Sequence, residues 1–197
     1  MSYDIHQKLY GDDHPYTAAS LNSLGVLYYT AGELKKALKC IRKTYVIYQT
    51  LYGNENPKTA MALENLGVLY RDTGDLEKAK ECLFPAYEIL YRLNGDEHPG
   101  TISTLQSLGI LYYELGDLEK AEEYFLKSYA ISLKIYGDDH ANSEMLLRNL
   151  GVLYRKKGDI KSAKKYFNKL LSIYQKLYDE NHPSITGLKK VLDKLIE

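Results

Sequence analysis

One short segment, Leu-Gly-Val-Leu-Tyr, recurs along the chain at residues 24–28, 66–70 and 150–154, with isoleucine for valine at 108–112. Its glycines, Gly25, Gly67, Gly109 and Gly151, follow one another at intervals of 42 residues without an insertion. Three equal intervals mean that one supersecondary unit is stacked four times, which sets the architecture as an all-α helical solenoid before any helix is assigned.

Two further glycine series keep the same interval: Gly32, Gly74, Gly116 and Gly158, and Gly11, Gly53, Gly95 and Gly137. The stretch between Gly25 and Gly32 is too short for an element of its own, so the first glycine lies inside a helix that the second one ends. A glycine costs a helix interior about 1 kcal/mol relative to alanine, so its return at one register implies close approach of another helix. With that glycine as position 8, positions 4, 7 and 11 are apolar in every repeat: Leu21, Leu24, Tyr28; Leu63, Leu66, Tyr70; Leu105, Leu108, Tyr112; Leu147, Leu150, Tyr154. Spacings of three and four place them on one helical face. In the second helix Ala37, Ala79, Ala121 and Ala163 recur, each followed one turn later by Ile41, Leu83, Phe125 or Phe167. The small residue lets the two helices touch.

On these residues the chain resembles the tetratricopeptide repeat family. The resemblance implies a right-handed superhelical solenoid of antiparallel helix pairs, here four repeats (15–56, 57–98, 99–140 and 141–182) and a C-terminal capping helix (183–197) in one domain, 1–197. The ordinary repeat of that family has about 34 residues, and the extra length here follows the alanine helix, lengthening it by roughly two turns. Long repeats with a Gly-Asp-x-His-Pro connection look like the kinesin light chain subfamily. Residues 1–14 align with the tail of a second helix, so the chain is expected to be a fragment or to start from an incomplete repeat. In the capping helix Asp193 replaces the repeat glycine and Lys189, Lys190 and Lys194 add polarity.

The connections carry potential metal ligands at Asp12, Asp13, His14, Asp96, Glu97, His98, Asp138, Asp139 and His140. A zinc or calcium ion needs ligands converging within about 2.0 to 2.6 Å, whereas equivalent loops of a stack lie a repeat apart. Helix capping accounts for the same residues. The glycine takes a left-handed cap, the residue before proline is held extended as an N-cap, and proline suits the first turn. Asn56 in the histidine's place fits capping. No metal or cofactor is expected. Cys40 and Cys82 occupy one position of neighbouring repeats, where helix axes roughly 10 Å apart exceed the Cα separation of about 4.4 to 6.8 Å that a disulfide needs. Reduced thiols and the lack of a signal-like or membrane-length apolar run lead to the expectation of a cytoplasmic protein without membrane contact.

Opposite the packing face of each first helix lie positions 2, 5, 6, 9, 12 and 13. They hold Ala19, Asn22, Ser23, Val26, Tyr29 and Thr30; Met61, Glu64, Asn65, Val68, Arg71 and Asp72; Ser103, Gln106, Ser107, Ile110, Tyr113 and Glu114; and Met145, Arg148, Asn149, Val152, Arg155 and Lys156. The family resemblance implies that this stripe lines a concave groove for an extended or helical peptide. Position 6 is always an amide or serine, and Asn65 and Asn149, which match the groove asparagine of kinesin light chains, can both give and accept hydrogen bonds. Tyr29 and Tyr113 alternate with Arg71 and Arg155 at position 12, side-chain types common at binding hot spots. The candidate groove residues are therefore Asn22, Tyr29, Asn65, Arg71, Gln106, Tyr113, Arg148, Asn149, Arg155 and Lys156. The carboxylate clamp of chaperone-binding members needs asparagine at position 9, where this chain has Val26, Val68, Ile110 and Val152.

Net charge is zero, but repeat four carries nine basic against four acidic residues, while repeats two and three are acidic. An acidic partner segment is expected at the fourth repeat. Nucleic acid is disfavoured, because no nucleic-acid fold or overall basic balance accompanies those lysines. No phosphate loop, Cys-x-x-Cys or nucleophile-base arrangement is present, so catalysis is not expected. The sequence describes a protein-binding scaffold or adaptor. The rival readings are a self-associating structural scaffold, since acidic middle repeats could meet a basic fourth one, and a peptide-sensing domain of a larger signalling protein.

Overall fold

The computed structural model describes residues 2–137 and 141–195. Asp138, Asp139 and His140 of the third connection lie outside the described residues, as do the last two positions of the capping segment. Among the described residues the secondary structure is helical throughout, in the order α1 (Ser2–Tyr10), α2 (Pro15–Thr30), α3 (Leu34–Tyr52), α4 (Pro57–Asp72), α5 (Leu76–Asn94), α6 (Pro99–Leu115), α7 (Leu118–Tyr136), α8 (Ala141–Lys157), α9 (Ile160–Leu177) and α10 (Pro183–Asp193). The chain divides into two units, Met1–Leu111 and Tyr112–Glu197.

In the first unit each helical hairpin is closed where the repeat glycine meets the alanine helix. A Cβ on Gly25 would stand 2.6 Å from Ile41 Cδ1, and one on Gly67 would stand 2.7 Å from Leu83 Cγ and 3.2 Å from the Ala79 carbonyl oxygen. Ala37 and Ala79 are fully buried beside these contacts. The core runs from Ala18, Leu21 and Tyr48 at one end to Leu66, Leu69 and Cys82. In the second unit the same closure recurs at Gly151, whose Cβ would lie 2.5 Å from the Phe167 ring. The Tyr154 hydroxyl there donates to Glu122 Oε1 at 2.5 Å, which ties α8 to α7.

Hairpin turns follow one recipe. Gly32, Gly74, Gly116 and Gly158 take φ between 76° and 84°, and the next residue donates its N–H to the carbonyl of the position-11 tyrosine five residues earlier, as in Asp75 N to Tyr70 O at 2.9 Å. That is a Schellman closure. The same aspartate then caps the following helix: Asp75, Asp117 and Asp159 accept from the backbone N–H of Lys78, Lys120 and Ser162. Glu33, one methylene longer, stands at this place in the first repeat and makes no such cap.

Connections between repeats correct one expectation. Gly53, Gly95 and Gly137 have φ of 76°, 76° and 79°, but ψ within a few degrees of 180°, so they are not left-handed helical caps. They occupy the extended positive-φ region that only glycine enters readily. The N-cap that ends each connection accepts a backbone N–H with its side chain: His14 from Tyr16, Asn56 from Lys58, His98 from Gly100 and, after the glycine-free last connection, His182 from Ser184. The preceding tyrosine packs on that cap, with Tyr10 stacked on His14 at 4.6 Å and Tyr178 on His182 at 4.0 Å. Thr17, Thr101 and Ser143 donate back to the carbonyls of Gly11, Gly95 and Gly137.

Candidate interaction stripes

In the first unit the stripe is knitted sideways by pairs 43 residues apart, one more than the repeat. Asn65 Nδ2 donates to Asn22 Oδ1 at 3.3 Å, and the Tyr29 hydroxyl donates to Asp72 Oδ2 at 2.6 Å. Arg71 donates from Nε and Nη2 to Asp72 Oδ1 at 2.9 and 2.7 Å, leaving its side chain only 10% exposed. Asp72, which the sequence reading placed on the stripe but not among the candidate groove residues, is thus the hub that positions both Tyr29 and Arg71. Its hydrogen bond with Tyr29, with burial adding to it, raises the phenol above its usual range. Gly25, Val26, Tyr29, Asn65 and Val68 are among the lining of a recess of about 60 Å³, room for a small apolar side chain under an amide and a phenol.

Glu64 occupies position 5 of the same stripe and is only 8% exposed. Ser103 Oγ donates to its Oε1 at 2.6 Å, from α6. Burial lifts its carboxyl to about 7, against the opposing hydrogen bonds of Ser103 and Ser107. Gln106, also on α6, is half-buried, and its Nε2 has no hydrogen-bond partner among the described residues.

In the second unit Lys156 Nζ stands 4.2 Å over the Tyr113 ring and donates to the Tyr113 carbonyl at 3.2 Å, another pair 43 residues apart. Arg148 donates to the Tyr174 hydroxyl at 2.5 Å, and Tyr174 in turn donates to Glu144 at 2.6 Å. Burial, then the Glu144 contact, pushes the Tyr174 phenol up to about 12. The Arg155 guanidinium is exposed and has no side-chain partner among the described residues. Arg148 and Arg155 border a cavity of about 460 Å³ with Val152, Phe167, Leu188 and Val191. The α10 wall of this cavity escaped the sequence reading, which treated that helix as a cap alone. Asn149 Nδ2 is buried without a hydrogen-bond partner among the described residues.

Among the described residues neither cysteine is an activated nucleophile. Cys40 and Cys82 are free and buried, and burial pushes the Cys82 thiol up to about 11, well away from reactive thiolate chemistry. Among the described residues no group of three or more His, Cys, Asp or Glu side chains is gathered as for a metal, and no helix is long and apolar enough to cross a membrane. Outside the stripes, α1 and α2 expose a run of apolar side chains, with Leu9 and Leu27 each about two-thirds exposed.

The stacked hairpins define an all-α helical repeat protein. The chain belongs to the tetratricopeptide repeat family, whose sequence profile matches residues 1–50, 27–91, 85–134 and 113–176. Members of this family are typically non-enzymatic and generally serve as protein–protein interaction modules. Among solved structures, BtubC (BKLC) from P. vanneervenii superposes with a TM-score of 0.83 at 22% identity, covering 98% of this chain and 78% of that one. The nearly identical TPR-like repeats assigned to a kinesin light chain of Podosopora anserina give 0.79 at 21% identity, covering 92% and 86%. The apo form of RapI gives 0.76 at 18% identity, covering 98% and 74%. At such identities the likeness is one of fold, and it places kinesin light chain-like repeats among the structural neighbours. No curated protein matches the chain.

Proposed function

We propose that the chain is a scaffold or adaptor that holds an extended or helical segment of a partner protein on the first-helix stripes. The observation that carries this reading is that in each unit stripe residues border a recess combining an apolar floor with a hydrogen-bonding or charged rim. Ligand sites generally have that composition. In the second unit the unpaired Arg155, beside Arg148, favours a segment with acidic residues. The buried free thiols fit a reducing, cytoplasmic setting.

Selection of a displayed library of disordered peptides against the chain tests this. A shared motif is expected, and the Asn65, Arg71, Asn149 and Arg155 quadruple alanine variant is expected to lose at least tenfold in affinity for it. An enriched motif that the variant binds equally well would contradict the stripe assignment. No enrichment would contradict the reading altogether and turn attention to self-association through the apolar face of α1 and α2.

A further inference from the structure

Glu64 is a buried acid at position 5 of the first-helix stripe, and among the described residues no charged side chain pairs with it. Helix α2 carries no charged residue, and α6 carries only Glu114 near its far end. On α4 itself Lys58 stands over the Tyr52 ring, and Arg71, two turns and about 10 Å along the axis, is closed onto Asp72. The contacts that act on the carboxyl are the hydroxyls of Ser103 and Ser107, and no charged side chain contributes. A carboxylate this buried is costly when ionised unless it is paired. Ordinary helix-face glutamates avoid the problem by facing solvent, which this one does not.

We propose that Glu64 is the cation-recognition residue of the first unit's stripe, accepting the ammonium or guanidinium of a lysine or arginine in the partner segment between α4 and α6. The proposal rests on the stripe being the binding surface. The free chain keeps the Glu64 proton through the mildly acidic range. Docking of a cationic side chain discharges that proton to solvent and leaves a paired carboxylate, with Ser103 donating to one oxygen. Binding of such a segment therefore strengthens with rising pH, by up to tenfold per pH unit below neutrality, and levels off once the carboxyl is ionised. The first unit would thus select a basic residue, and the Arg155 side of the second unit an acidic one.

The test is the same peptide-library selection run at about pH 8 and about pH 5.5 on the full chain and on Glu64→Gln, followed by calorimetry on synthesised peptides. A lysine or arginine at a fixed motif position is expected at the higher pH. Its peptide should bind at least tenfold more weakly at the lower pH, and at least tenfold more weakly to Glu64→Gln at the higher one. Helical circular dichroism of Glu64→Gln verifies that the variant is folded. A motif without a basic residue, or one bound equally at both pH values and by the variant, overturns the proposal while leaving the stripe reading intact. Failure to enrich any motif removes both.

Discussion

Replacing Gly67 with leucine is expected to destabilise the chain by about 3 kcal/mol, the upper end of what overpacking a filled core costs. A Cβ alone at Gly67 would meet Leu83 Cγ at 2.7 Å, with Leu83 fully buried and the Ala79 carbonyl oxygen 3.2 Å away, so neither side can yield cheaply. Even Gly67→Ala should destabilise, although alanine is the better helix former by about 1 kcal/mol. Gly187, inside α10, has nothing within 4 Å of its Cβ position, and Gly187→Ala should gain roughly 0.5 to 1 kcal/mol. Thermal unfolding of the three variants settles the matter. An unchanged midpoint for Gly67→Leu would remove the close-approach explanation of the repeat glycine.

Glu64→Gln is expected to be more stable than the parent chain above neutral pH, by about 3 kcal/mol. The folded carboxyl titrates at about 7, above its ordinary value of 4.5. The folded state therefore holds a proton that the unfolded state has already released, and stability falls as pH rises between those two values. The loss is complete above the folded value, and at about 1.4 kcal/mol per pH unit it reaches about 3 kcal/mol. Glutamine is neutral throughout, so the variant and the parent should coincide below about pH 4.5 and diverge as pH rises. For a chain of this size the difference amounts to on the order of 10 °C in melting temperature. A parent as stable as the variant at about pH 9 would show that Glu64 is not a desolvated acid.

What the sequence made legible is what its period carries. Gly25, Gly67 and Gly151 are identical in register, so the close approach could be read from repetition alone, and Asn56 in place of histidine identified the caps without coordinates. The 42-residue spacing of Thr17, Thr59, Thr101 and Ser143 was equally available as the signal for the hydroxyl ties to the glycine carbonyls. In the second repeat that tie is absent, and the Thr59 hydroxyl has no partner among the described residues. The stripe was harder to read, because neighbouring first helices are offset by one residue. Asn22 therefore meets Asn65, Tyr29 meets Asp72 and Tyr113 meets Lys156, a register that a repeat length of 42 does not announce. That offset is why Arg71 is mostly buried against Asp72 instead of standing free. The burial of Glu64 depends on α6 delivering Ser103 from 39 residues away, and helical spacing on α4 predicts only an outward face. Pro85 stands inside α5 although its ring removes a backbone donor, and no repeat signal accounts for it.

The most direct test of the central claim, that the first-helix stripes receive the partner, is to follow the backbone amides and the side-chain amides of Asn65 and Asn149 by nuclear magnetic resonance while a selected peptide is titrated into the full chain. The account predicts shifts at Asn65 or Asn149 and along α2, α4, α6 or α8, with the exposed faces of α3, α5, α7 and α9 unchanged. Saturable shifts confined to those second helices, with both asparagine amides unmoved, would contradict it.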